Sequence, residues 1–242
     1  MLPYFQTITA ILNEAEQKNA DTIKVLAGTI AESISAGGVL HLFGTGHGHM
    51  LAEELFYRAG GLVPVNAMLD SALMLHESAL ASSLAEKLSG YAEVVLSRYL
   101  VKPGETLIIA SNSGRNSVPI EMAMAARAQG LKVAALTSLA HASAYPSRHP
   151  SGKHLHELAD FVLDNCGPVG DAALRIEGLA VPIGPTSTIV GAALLHSVVH
   201  AVVQHMIKNH KQPPIFISAN VSDGDEHNNR LVEHYRERLR HL

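Results

Sequence analysis

Seven consecutive residues, Ser111-Asn112-Ser113-Gly114-Arg115-Asn116-Ser117, concentrate hydroxyls, side-chain amides, backbone N–H groups and one guanidinium. They follow the apolar run Leu107-Ile108-Ile109-Ala110 and precede a helix-forming stretch that starts near Val118-Pro119. At the N-terminus of a helix, unpaired N–H groups and the helix dipole favour an anion, and this composition suits a phosphate. A simple cap and turn, in which Ser and Asn are favoured anyway, accounts for one or two of these residues but not for six of seven. A second loop, Gly44-Thr45-Gly46-His47-Gly48-His49, stands in the same relation to the apolar run at 39–43. Its three glycines allow a sharp turn and a close backbone approach to a ligand. It is not a dinucleotide fingerprint. The third glycine of Gly-x-Gly-x-x-Gly comes one place early, and Val63-Pro64-Val65-Asn66 stands where an acid is expected about 20 residues on.

The 15 histidines invite a metal. His47 and His49, His154 and His156, and the i, i+4 pair His196 and His200 all have ligand-like spacing. None has a nearby Cys or a His-Glu-x-x-His pattern, so no metal or other cofactor is expected. His141, His149, His154 and His156 lie in a stretch rich in Ser, Pro, Gly and Ala that reads as a loop. A single Cys makes neither an internal disulfide nor a cysteine-cluster zinc site, which points to a reducing compartment. The net charge of −4 lacks the basic footprint of a nucleic-acid binder. No positive n-region opens the chain. Residues 178–207 carry no Asp, Glu, Lys or Arg, but Thr186, Ser187, Thr188, His196, Ser197, His200, Gln204 and His205 suit a buried core helix better than a membrane span. A cytoplasmic protein acting on neither membrane nor nucleic acid is the expectation.

The elements that must carry the two loops follow from periodicity. Phe5, Ile8, Leu12 and Ala15, then Ile23, Leu26, Ile30 and Ile34, recur three or four apart and predict a helix over about 1–35, closed by Gly37-Gly38. Short apolar runs at 39–43, 62–65, 106–110, 132–136 and 161–163 alternate with helix-forming stretches at 48–59, 116–129 and 152–158, and 70–100 has room for two helices. Such alternation predicts an α/β fold, a parallel sheet covered on both faces. Leu231, Tyr235 and Leu239 mark an amphipathic surface helix in the tail at 211–242. No linker or repeat divides the chain, so one domain is expected, with its core at about 35–210. In the strand order 2-1-3-4-5, the two loops follow strands 1 and 3 and face one crevice at the topological switch point.

Val39-Leu40-His41-Leu42-Phe43-Gly44-Thr45-Gly46 and Leu107-Ile108-Ile109-Ala110-Ser111-Asn112-Ser113-Gly114, with the helix through Gly130 and the strand after it, resemble the SIS (sugar isomerase) domain of phosphosugar isomerases and phosphosugar-binding regulators. The resemblance covers roughly 35–210. It implies a three-layer α-β-α sandwich with a five-stranded parallel sheet, a homodimer or higher homo-oligomer, and a phosphorylated sugar as ligand. By the same resemblance, Ser111 and Ser113 match the serines that hold the phosphate, with Asn112 between them. Thr45 and Gly46 lie at the sugar, with His47 beside them. Asn116 stands where many members have Thr and can donate from its amide; Gly48 stands where many have Ser and has no hydroxyl to offer. Gly184-Pro185-Thr186-Ser187 resembles a pocket-lining element, which adds Thr186 and Ser187. Asn165-Cys166-Gly167-Pro168-Val169-Gly170-Asp171 and Gly224-Asp225-Glu226-His227-Asn228 are similar to features of a stand-alone branch of the family.

Aldose–ketose isomerisation, the activity so implied, moves a proton between C1 and C2 and needs a positioned base. Glu77, beside His76 and about a dozen residues after the second strand, is one candidate; Glu53 and Glu54, on the helix after the glycine loop, are others. His196, on the late apolar helix, is the candidate helper, as late-helix histidines are in SIS isomerases. A non-catalytic phosphosugar sensor and an etherase or lyase acting on a muramic-acid-type sugar phosphate are the alternatives.

Overall fold

The computed structural model describes residues 2–218 and 224–242. The first apolar stripe forms α1 (Pro3–Ser35), with Pro3 in the first turn, where its missing N–H is no loss, and Gly37 in the left-handed region at φ +84° just past the end. The sheet contains β1 (Leu40–Gly44), β2 (Val65–Met68), β3 (Thr106–Ala110), β4 (Lys132–Thr137) and β5 (Phe161–Asp164), all parallel, in the order β2-β1-β3-β4-β5. The α/β architecture and its strand order are therefore as expected. The helices between them are α2 (His47–Leu55), α3 (Ala79–Ala85), α4 (Tyr91–Leu96), α5 (Ser117–Ala128) and α6 (Leu139–Ser143).

Strand side chains alternate between two apolar layers, which is why the runs read as continuously hydrophobic. Leu40, Leu42, Ile108, Ala134 and Leu136 pack with residues of α1 and α2 and with the long helix α7 (Ser187–Lys208). Phe43, Leu107, Ile109, Val133 and Ala135 pack with α4 and α5. α7 is long and apolar enough to cross a membrane, yet it lies along α1 and α2 and buries Val190, Leu194, Leu195, Val198 and Val202.

Three local departures have physical causes. The second strand starts at Val65, not Leu62, because Pro64 has no N–H to give the ladder and Leu62 bridges to Ile215 instead. The stretch at 152–158 makes only one 3₁₀ turn, Leu155–Glu157, because its chain is held extended against the serine loop by Leu155 N–H donating to Gly114 O at 2.8 Å. An antiparallel hairpin of β6 (Ala172–Leu174) and β7 (Ile183–Pro185) precedes α7 and was not legible as strands.

The tail ends in α8 (Gly224–Tyr235), as its apolar spacing predicts; residues 219–223 ahead of it lie outside the described residues. Tyr235 and Leu239 pack on Val39 and Val63 at the base of the sheet. Asn228 grips the backbone of Ile217, accepting its N–H at 3.1 Å and donating to its carbonyl at 2.8 Å.

Candidate functional site

Both chemistry-bearing loops leave the carboxyl ends of adjacent strands, β1 and β3. In the first, Gly46 adopts φ +55°, and its N–H donates to Leu73 O at 2.9 Å. The flanking glycines serve backbone packing. A Cβ on Gly44 would fall 2.3 Å from the backbone of Gly48, and one on Gly48 would fall 2.5 Å from Ala110 O. That is why no hydroxyl-bearing side chain stands at 48: α2 is pressed against the ends of β1 and β3.

In the second loop Ser111 N–H donates to Leu136 O at 3.0 Å, and Gly114, at φ +56°, donates to Ser111 Oγ at 3.2 Å. The Asn112 carbonyl accepts from Thr137 Oγ1 and from Ser138 N–H, and its Oδ1 accepts from Asn165 Nδ2 at 2.9 Å. These bonds anchor the loop from behind. The Ser113 hydroxyl has no partner among the described residues.

A cavity of about 590 Å³ opens between the loops. Thr45, Gly46, His47, Ser111, Asn112, Ser113 and Asn116 line one side of it, and Ser187 the other. Across the serine loop stands Glu86, half-buried, its Oε2 accepting from Thr45 Oγ1 at 2.9 Å and its Oε1 from Asn116 Nδ2 at 2.7 Å. Asn116 Oδ1 accepts in turn from Arg148 at 3.0 Å. Burial pushes the Glu86 carboxyl above the ordinary carboxylate value, against the opposing pull of the Thr45 hydrogen bond. The Glu86 carbonyl accepts from Val118 N–H at 3.0 Å, which docks this residue onto the first turn of α5.

The far wall is built on Asp171, a non-glycine residue at φ +67°. Its carboxylate accepts from the N–H of Thr186 at 3.0 Å, from the N–H of Ser187 at 2.8 Å and from Ser187 Oγ at 2.7 Å, and so caps α7. Thr186 is fully buried against it and does not line the cavity.

Residues 3–138 match the model of the SIS domain family. Among curated proteins, a UPF0309 protein of Geobacillus thermodenitrificans is 43% identical over 98% of this chain and 95% of its own length. UPF0309 protein BH0227 of Halalkalibacterium halodurans is 44% identical over 98% of this chain and 94% of its own. The chain belongs to the SIS domain family. A phosphoheptose isomerase of Francisella tularensis has the same fold, with a TM-score of 0.54 at 16% identity over 83% of this chain and 95% of that one. Phosphoheptose isomerase GmhA of Neisseria gonorrhoeae gives 0.51 at 19% identity, with the same coverage.

In this SIS domain the acids singled out from sequence lie away from the cavity walls. Glu77 is 63% exposed and faces His76 at 3.6 Å, because the chain at 74–78 runs over the surface. Glu53 borders a separate, smaller cavity with His49 and His76. Glu54 is paired with Arg58 at 2.5 Å and, across to α7, with His196 at 3.0 Å. His196 is thereby on the α2-facing side of α7, not on the cavity. His49 is buried and accepts from Asp70 N–H at 3.0 Å; burial lowers its affinity for a proton to about 4. His141, read as a loop residue, sits in α6, and with Glu86 and Asp171 it is a cavity residue that the loop motifs alone did not disclose. For Glu86 one sequence signal existed: Ser82, Ser83 and Glu86 fall three or four apart, and all three line the cavity.

Proposed function

We propose that this SIS domain protein binds a phosphorylated sugar or amino-sugar derivative and interconverts its aldose and ketose forms. The Ser111 and Ser113 hydroxyls, with the N–H groups at the start of α5, hold the phosphate. Thr45 and Gly46 lie along the sugar, and Asn112, His47 and Ser187 complete the enclosure. Glu86 is the base. The observation that carries this reading is the half-buried Glu86 carboxylate, held by Thr45 and Asn116 in the cavity that the Ser113 hydroxyl also lines, a hydroxyl with no partner among the described residues. A base whose proton affinity is raised toward the working pH is the better proton acceptor from carbon. The isomerase names of the two solved neighbours agree with it.

The protein acts as a single cytoplasmic domain in a homodimer or higher homo-oligomer. Both apolar layers share one sheet, which supports the single domain. Leu80 and Leu84, 82% and 66% exposed on the outer face of α3, support association.

The test is a thermal-shift panel of sugar phosphates, free sugars and nucleotides, followed by NMR of the C2 proton of the stabilising phosphosugar in deuterated water. Stabilisation by sugar phosphates alone and exchange at C2 are expected. Binding without exchange would make the protein a phosphosugar sensor, and no stabilisation by any sugar phosphate would remove both readings.

A further inference from the structure

Enolisation needs more than a base, because negative charge develops on the carbonyl oxygen as the C2 proton leaves. Four titratable side chains other than Glu86 line the cavity: Tyr4, His47, His141 and Asp171. Tyr4 donates its hydroxyl proton to Pro185 O at 2.5 Å, and Asp171 is engaged in capping α7. His47 is exposed and has, among the described residues, no hydrogen bond that would choose between its two neutral forms. His141 differs. Its backbone N–H donates to Ser138 Oγ at 3.0 Å, and Ser138 Oγ donates to Gly167 O at 2.7 Å, so α6 is seated on the loop after β5. Its Nδ1 lies 2.7 Å from Gly170 N, whose N–H it accepts. In the neutral ring the proton is therefore on Nε2, which has no protein partner among the described residues. Burial lowers the proton affinity of the ring, Asp171 opposes this, and Arg115 adds to the lowering; the Arg115 guanidinium stacks over Tyr145, whose ring lies 5.8 Å from that of His141.

Resting on the isomerase reading of this cavity, we propose that His141 is a second catalytic residue, a neutral imidazole whose Nε2–H serves the carbonyl oxygen of the substrate. The proton balance closes. Glu86 takes the C2 proton, the C–H electron pair forms the C1–C2 double bond, and the carbonyl π pair moves to O1. O1 takes the proton from Nε2, while the Gly170 N–H steadies the charge left on the ring. Nε2 then takes the O2 hydroxyl proton, and Glu86 returns its proton to C1. The ring and the carboxylate end as they began. A neutral imidazole is suited to this exchange because its proton affinity in the deprotonated form matches that of an enediolate better than a carboxylate does. The ligand it selects is a sugar phosphate with a free carbonyl or one released by ring opening.

The test compares wild type with His141→Gln on the phosphosugar that the thermal-shift panel selects, following C2 exchange and interconversion by NMR and affinity by calorimetry. The expected result is a fall of about 10²-fold or more in both rates, with Kd within about threefold. Exchange at the wild-type rate in the variant overturns the role of His141 and leaves Glu86 as the base. No exchange in wild type overturns the isomerase reading, and the role of His141 falls with it. Should the variant fail to fold, ¹⁵N NMR of the wild-type imidazole decides: a neutral ring protonated on Nε2 that shifts on phosphosugar binding is expected, and an Nδ1–H ring overturns the proposal.

Discussion

At the residue scale, the environment of Glu86 separates stability from activity. Its folded-state proton affinity is raised, so the folded state favours the protonated carboxyl, and that contribution to stability is lost as pH rises through the raised value. At neutral pH the ionised carboxylate is held at a cost. Glu86→Gln is therefore expected to melt at the same temperature as wild type or a few degrees higher in calorimetry, while turnover falls by about 10²–10⁴-fold. A lower melting temperature would mark the carboxylate as structural. The acid limb of the pH–rate profile is expected above the ordinary carboxylate value of 4.5. Ser113→Ala removes a hydroxyl with no partner among the described residues; stability is expected to change by no more than about 0.5 kcal/mol, and phosphosugar affinity to fall by roughly 10- to 100-fold in a binding titration, the worth of one hydrogen bond to a charged group. The serines, glycines and amides of both loops were legible in the sequence because strand, loop and helix start are contiguous there. Glu86 was not, because Ser82, Ser83 and Glu86 sit on a short helical stretch whose docking depends on the hydrogen bond from Val118 N–H to the Glu86 carbonyl, 32 residues away by number.

At the scale of elements, α1 packs against β5, one of the two edge strands of the sheet, and bonds its edge at Asp164. Asn19, buried, accepts the Asp164 N–H and donates to the Asp164 carbonyl, both at 2.8 Å, so the edge of β5 presents a filled pair of groups at this point. Lys18 adds an ion pair to Asp164 at 2.6 Å. Asn19→Leu keeps the volume and leaves that N–H and carbonyl buried without partners, an expected loss of about 2–5 kcal/mol in urea unfolding. A polar residue at the centre of an apolar stripe was visible in the sequence as a break in periodicity. That it serves a strand 145 residues away was not. The same limit applies to the β6–β7 hairpin: three-residue strands with little alternation carry no periodic signal, Asp171 ties the start of β6 to Thr186 just past β7, and Tyr4 fastens Pro185 from 181 residues away.

At the scale of the molecule, the base of the sheet is tied to the C-terminus. Glu105, buried at the foot of β3, accepts from His41 Nε2 at 2.9 Å, from Arg238 at 2.5 Å and from the N–H groups of Val39 and Lys102. Burial raises its carboxyl, but the hydrogen bonds from His41 and Arg238 prevail and hold it at about 2. His41 is itself kept neutral by burial. A carboxyl depressed on folding stabilises the protein above its unfolded value, near 4.5, and that contribution is lost as pH falls from there toward 2. Acid unfolding in that window is expected, with Arg238→Met unfolding at higher pH and losing about 3–5 kcal/mol at neutral pH, as followed by circular dichroism. A midpoint unchanged in the variant would show that the chain after α8 is not held through Glu105.

Periodicity and the residues at strand ends were enough to specify an α/β sheet, two loops that face one cavity, a charge-free helix packed inside and an amphipathic tail. Each of these rests on neighbours in sequence, whose spacing matches the pitch of a helix or the pleat of a strand. Which carboxylate meets the loops, which histidine has its proton set, and what the tail binds depend on contacts between segments far apart in the chain. Glu77 and Glu86 are both acids in the same connection, but the chain leaves one in solvent and docks the other on the start of α5, where it meets Asn116 of the serine loop. Local pattern cannot discriminate between them, because their difference lies in burial and hydrogen-bond partners that exist only once the chain has closed.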